Sequence, residues 1–438
     1  MSEISLHPGV GEGLSENRTT SPSGIMTTDQ NIALDLSSDA FLREPHTSYR
    51  LGRQHFPVYA VPDQDLVMVF GYDEVLEALM KPKIFSSKNE ESVLGASIHN
   101  PECQAIYKTG WPQVPTLLTN DPPSHTRFKK LVNQAFTRDR VAGMQGHMEA
   151  MADALIDNFI EDGECDFIDQ FANPLPCQVI AEQLGFHERD IPKVKVWSDA
   201  FIDLIGTDMT SAEQVERAKS VVAFQHYMKA CLDERRTRPR EDVLTDLVNA
   251  RVDDETPLNE AELLNVAQAL LVAANTTTSH MLSGGLLALI DHPVQLAKVR
   301  ENPDLIPNMV EELLRLQTPT QGMWRRASED TELGGVSIKK GTMLMLMFTS
   351  ANRDEKYFTH PDDFDVERDF STAHVAFSRG VHTCIGMMLA RQELVCAFRQ
   401  ILKRMDNIRL SSSRPRPQYE PSLIFRGLES LHIEFTAR

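Results

Sequence analysis

The sequence predicts a mainly α protein with smaller β-sheets, an α+β fold, and three observations carry that reading. From Val141 to Arg240 the chain is helix-patterned, broken only near Gly163, Pro174, Gly185 and Pro192. The stretch Glu260 to Ile290 has the length of one helix of about 45 Å, enough to cross a whole domain. Runs rich in apolar and β-branched residues are short: Pro57 to Val61, Leu66 to Phe70, Val336 to Ile338 and Thr342 to Phe348.

Each element has a local reason. The first two strands flank the turn Pro62-Asp63-Gln64-Asp65, and a helix is expected over Tyr72 to Met80. Lys81 to Asn120 reads as long and irregular; its Val93, Leu94, Ile98 and Trp111 either line an entrance or pack. Pro122 and Pro123 precede a helix on which His125 and Lys129, four apart, share a face. Phe201, Leu204 and Ile205 recur at helical spacing, which reads first as core. Asn259 is the expected N-cap of the long helix, with Glu262 completing a capping box. Asn265, Gln268, Asn275, Ser279 and His280 interrupt that helix and argue against a membrane span. Pro319 ends a helix carrying Glu312 and Arg315, and Lys339-Lys340-Gly341 turns between the last two strands. Met387 to Met405 reads as a helix with Leu394, Phe398, Ile401 and Met405 on one stripe.

Composition bounds the function. The 438 residues carry a formal charge of −19, which disfavours nucleic acid and anionic membrane as partners. The six cysteines are scattered without paired spacing, against both a zinc site and a disulfide framework, so reduced thiols and a cytoplasmic location are expected. Met1 to Gln30 is polar with no apolar core of a leader, so residues 1–35 read as a flexible polar tail.

The chemistry concentrates in Phe377-Ser378-Arg379-Gly380-Val381-His382-Thr383-Cys384-Ile385-Gly386. Gly380 and Gly386 permit tight turns and close approach of a flat ligand. Cys384 stands just before a helix N-terminus, where a thiolate is favoured. Taken alone it is a nucleophile, a metal ligand or an inert buried thiol. The order Phe-x-x-Gly-x-His-x-Cys-x-Gly resembles the haem-binding loop of the cytochrome P-450 family. That resemblance implies one large fold of the family's type over residues 36–438, with the long helix running through a haem pocket. It implies haem b, with Cys384 as axial ligand of the iron, Phe377 and Gly386 beside the sulfur, and His382 on a propionate.

The other motifs follow from the same resemblance. His125-Thr126-Arg127-Phe128-Lys129 is similar to a helix whose His and second basic residue hold a propionate; Lys129 supplies charge without the arginine fork. Arg325 matches a propionate-binding arginine, with Arg326 as its fallback. Ala273-Ala274-Asn275-Thr276-Thr277 resembles the family's Ala-Gly-x-acid-Thr. Ala273 and Ala274 are the small pair that leaves room for dioxygen, Thr277 is the alcohol, and Thr276 stands where the acid is expected. Glu312, Arg315 and Arg368 resemble a buried network that braces the haem loop. Thr320, Met323, Leu423, Ile424 and Phe425 would join Ala273 at the substrate.

The implied activity is insertion of one oxygen atom from O2 into an apolar small or medium organic molecule, by hydroxylation or epoxidation. Electrons would come from NAD(P)H through a ferredoxin reductase and a ferredoxin docking near Arg379 and Arg391. A peroxide-driven enzyme, suggested by Thr276, and a haem-binding protein without turnover are the alternatives.

Overall fold

The computed structural model describes residues 19–20, 25–28, 31–88, 94–206, 209–252 and 254–438. Its axis is the helix Glu260–Asp291. The expected capping box starts it: Asn259 Oδ1 accepts from Glu262 N at 3.0 Å, and Glu262 Oε2 accepts from Asn259 N at 2.8 Å. Such a cap stabilises a helix by about 1 kcal/mol. Arg127 then clamps Glu262 with two hydrogen bonds, of 2.8 and 2.9 Å.

Helices pack on this axis from both ends. One core joins its C-terminal half to Gln145–Asp157, Ile306–Gln317 and Met387–Arg404; a second joins its N-terminal half to Pro174–Gln183, Pro192–Gly206 and Ser211–Thr237. Gly285 marks the tightest approach in the first core. A Cβ there would lie 2.9 Å from Phe398 and 3.0 Å from Leu313.

The expected strands appear at Val58–Ala60, Leu66–Val69, Val336–Ile338 and Met343–Met347. The main sheet is mixed: Leu66–Val69 runs parallel to Met343–Met347, and the strand Gly322–Ala327 pairs antiparallel to the latter's other edge. That pairing sets Arg325 opposite Leu344 and Met323 opposite Leu346. Strands Met405–Leu410, His432–Ala437 and Glu164–Asp166 form a separate antiparallel sheet.

Several expectations need correction. Lys81 to Asn120 is not wholly irregular, because Pro101–Tyr107 is a helix whose N-cap Asn100 accepts from Glu102 N. Seven residues are too few for periodicity to reveal it. Leu94, Ile98 and Trp111 pack on the second core with Phe201 and Leu204, so they are packing residues; Val93 and the side chain of Ile205 lie outside the described residues. Met405 begins a strand rather than ending a helix. Within the stretch whose composition marks it as a polar tail, Ile25–Thr28 pairs with Asn31–Leu34, and Leu34 is buried. Among the described residues no helix is long and apolar enough to cross a membrane.

Candidate active site

The cysteine loop is a closed turn. Cys384 N donates to Phe377 O at 2.9 Å, and Thr383 donates to Gly380 O through both its N and its Oγ1. Gly380 has φ of +70°, and a Cβ there would lie 2.9 Å from Leu79 O, so only glycine fits. Lys129 does not point into open space. Its Nζ donates to Val381 O at 2.7 Å and Thr383 O at 2.9 Å, fastening the loop's far side to the helix Ser124–Asn133.

Cys384 is accessible to a water-sized sphere. Yet protein crowds its sulfur: burial pushes the thiol up, while the Gly386 backbone N–H, Lys129 and Arg391 favour the thiolate. Both statements hold if the sulfur faces an internal chamber. Ile385, its neighbour, packs on the same core as Val272 and Ala274 of the central helix.

Beside this loop lies a buried cluster of basic side chains. The rings of His125 and His382 meet at a tilt of 51° with centroids 4.2 Å apart. His382 Nε2 meets Ser87 Oγ at 3.0 Å and Asp121 Oδ1 at 3.8 Å. Arg325 is 6% exposed, and among the described residues it pairs with no carboxylate; its guanidinium donates to Trp324 O at 2.7 Å. Burial lowers Arg325 to about 10, with Asp121 opposing. It lowers His125 to about 4, helped by Lys129, and His382 to about 3, helped by Arg325 and His125. His125 Nδ1 is enclosed without a partner. Among the described residues Asp121 is the carboxylate that acts on Arg325 and both imidazoles. Buried charge is costly unless paired, so Arg325, with the two imidazoles beside it, fits an anionic ligand.

Behind the loop the polar groups are matched. Glu312, fully buried, receives Arg315 through two bonds of 2.7 and 2.8 Å and Arg368 Nε at 2.9 Å. Arg315 also holds Asn352 O, and Asn352 Oδ1 accepts from Val375 N at 2.7 Å, two residues before Phe377. Arg391 grips Glu311 at 2.5 and 2.9 Å and covers the Phe377 ring at 4.6 Å. Burial pushes Glu311 up, but bonds from His374 and Arg391 outweigh it and bring the carboxyl down to about 2. The charge expected of Arg391 at a docking surface is therefore already paired. Arg379 donates to His374 O.

On the other wall, Thr277 Oγ1 donates to Ala273 O at 2.8 Å, and the Thr276 hydroxyl makes no hydrogen bond among the described residues. Ala273 is exposed in the middle of an otherwise buried helix, with Ala274, Thr276 and Thr277 half-buried around it. Thr320 bridges to Phe425, and Gln321 N donates to Ile424 O, bringing the C-terminal turn to this wall. Leu423 and Ile424 pack on the small core of Met345 and Met347, whereas Met323 packs on the other face of the sheet with Leu346. Arg326 is exposed and bonds Gly341 O, away from the cluster. Sequence reasoning gave no role to Asp121, Ser87 or His280; Asp121 had a cue in standing before the His125 helix.

A mainly helical fold in which an exposed cysteine lies beside a buried arginine that has no carboxylate partner among the described residues fits a protein built to hold an anionic prosthetic group. The family model described as Cytochrome P450 matches residues 43–433. A steroid C26-monooxygenase of Mycobacterium tuberculosis is 32% identical over 92% of this chain and 97% of its own. The 6-deoxyerythronolide B hydroxylase of Saccharopolyspora erythraea is 34% identical over 91% and 98%. The solved structure of cytochrome P450 CYP109Q5 from Chondromyces apiculatus is 30% identical over 92% and 98%, with a TM-score of 0.81. The chain belongs to the cytochrome P450 family, the haem-thiolate monooxygenases, and is an oxidoreductase that incorporates oxygen from O2.

Proposed function

We propose that residues 36–438 form one haem b domain that hydroxylates or epoxidises an apolar small or medium molecule, of the size of a steroid or macrolide core. The observation that carries this reading is the buried cluster of Arg325, His125 and His382 with Asp121 as its single carboxylate, set beside the Cys384 loop. Haem supplies activation of O2 with electrons received one at a time. Cys384 is its thiolate ligand, oriented by the Phe377 carbonyl and the Gly386 N–H. Phe377, under Arg391, shields the sulfur from water. Arg325, His125 and His382 hold the two propionates, and Lys129 positions the loop through its carbonyls.

Glu312, Arg315 and Arg368 fix the segment that leads into the loop. Ala273 and Ala274 leave room for dioxygen, and Thr277 holds a proton at Oγ1 close to it. Substrate lies against Ala273, Thr320, Leu423, Ile424 and Phe425, whose side chains are mostly apolar, while Met323, on the other face of the sheet, is not among them. Electrons come from NAD(P)H through a ferredoxin reductase and a ferredoxin, in the cytoplasm. Arg379 is the better docking charge, since Arg391 is spent on Glu311.

The test is the spectrum of the reduced protein under carbon monoxide, followed by a screen for substrates that displace the iron's water. A long-wavelength Soret peak, lost in C384A, is expected; its absence from the wild type rejects the reading. Product formed with hydrogen peroxide as fast as with the ferredoxin system would instead favour the peroxide-driven enzyme. Bound haem with no oxidation of any compound would favour a carrier.

A further inference from the structure

The central helix is largely buried, and apart from its ends and Ala274 its accessible residues fall along one stripe. Ala269, Val272, Ala273, Thr276, Thr277 and His280 are accessible, whereas Met281 to Leu289 are buried without exception. Their spacing is that of one helix face, so the stripe is the wall of the chamber and His280 is where it ends. Thr276 and Thr277 lie four and three residues before His280, which sets neighbouring Cβ atoms about 5–6 Å apart. One water spans such a gap.

His280 is the ionisable member of this stripe. Its ring meets the Phe425 ring edge-on at 6.2 Å, and Gly427 closes over its Nε2: a Cβ at 427 would lie 2.4 Å away. Nδ1 is enclosed with no partner among the described residues. Burial, aided by the charge of Lys195 on the helix Pro192–Gly206, lowers the imidazole to about 4, so it is neutral at pH 7. An orphaned ring nitrogen next to a chamber asks for a bound water. A neutral imidazole can take a proton at one nitrogen while releasing one from the other.

The chamber needs such a group. The overall reaction is RH + O2 + 2 electrons + 2 protons giving ROH + H2O, and Ala269, Val272 and Ala273 on this stripe carry no group that can transfer a proton. Thr276 replaces the acid that would carry them. Resting on the haem monooxygenase reading above, we propose that His280 is the proton-relay residue of this enzyme, passing protons through a water to the hydroxyls of Thr276 and Thr277. Each proton the ring gives up at one nitrogen is replaced at the other, and the electrons are those the redox partner supplies.

The test uses the haem-loaded full chain with its reductase and ferredoxin, in H280F and in H280Q, which keeps hydrogen bonding but cannot pass a proton through. Both variants should release severalfold more hydrogen peroxide per NAD(P)H consumed and show a larger solvent isotope effect, with unchanged spectral titration by substrate. Adding T276E should restore coupling in each. In the wild-type ferric protein, nitrogen NMR should show a neutral His280 ring whose N–H exchanges with water. Unchanged coupling, failure of T276E to rescue, or a ring closed to exchange overturns the proposal. The carbon monoxide spectrum of the same samples reports separately on the haem-thiolate reading.

Discussion

The two walls of the chamber are built on opposite principles. On the cysteine side the groups that brace the loop are partnered: Lys129 on two carbonyls, Arg391 on Glu311, and Glu312 between two arginines. On the helix side Thr277 Oγ1 turns back onto Ala273 O, and the Thr276 hydroxyl and His280 Nδ1 have no hydrogen-bond partner among the described residues. A satisfied network rigidifies what it holds. Open groups, by contrast, are ready for ligands and water that change during turnover. One wall therefore fixes a ligand in place, and the other handles what comes and goes.

The sharpest way to break this contrast is at Cys384. C384A should abolish the long-wavelength Soret peak and oxidation together, while the fold survives; circular dichroism and the carbon monoxide spectrum check both. Next in size is E312A or R315A. Removing one partner of a buried pair leaves an uncompensated charge and should cost about 3–5 kcal/mol, read as a lower denaturant midpoint. Equal loss from T276A would show that the walls do not differ.

Arg325 comes third. R325A should retain the fold but release haem more readily, measured by transfer to apomyoglobin, because a buried cation facing the propionates is gone.

The pH dependence is gentler. His125 and His382 have folded values of about 4 and about 3, below the usual 6.5. Below pH 6.5 the unfolded chain binds more protons than the folded one, so stability of the haem-free protein should fall from pH 6.5 toward pH 3. It should be flat above pH 7. Bound propionates should raise both imidazoles and shrink that slope, which melting curves of loaded and haem-free protein compare.

The smallest effect is expected at the surface. R379E should slow electron transfer from the ferredoxin modestly and more at low salt, since exposed charges are screened.

Much of this was legible before any coordinates. The period of Tyr72–Met80 and the capping box of Glu260–Asp291 are local, and both helices stand where the sequence puts them. The cysteine loop was legible because its glycines and fixed residue order leave few structures open. The strands Gly322–Ala327 and Met405–Leu410 were not, because their pairing partners lie far away in the chain. Nor was the engagement of Arg391: its spacing said charge near the cysteine, and Glu311, eighty residues earlier, cancels it.

The sequence by itself determined the helical class, the long axis and the residues able to ligate, because caps, glycines and periodicity act over a few residues. The tertiary structure alone decided which charges are paired and which stand open. Pairing depends on side chains brought together from His125, Arg325 and His382, and exposure on which stripe of a buried helix borders a chamber. Both are set by packing between distant segments, where local chemistry has no say.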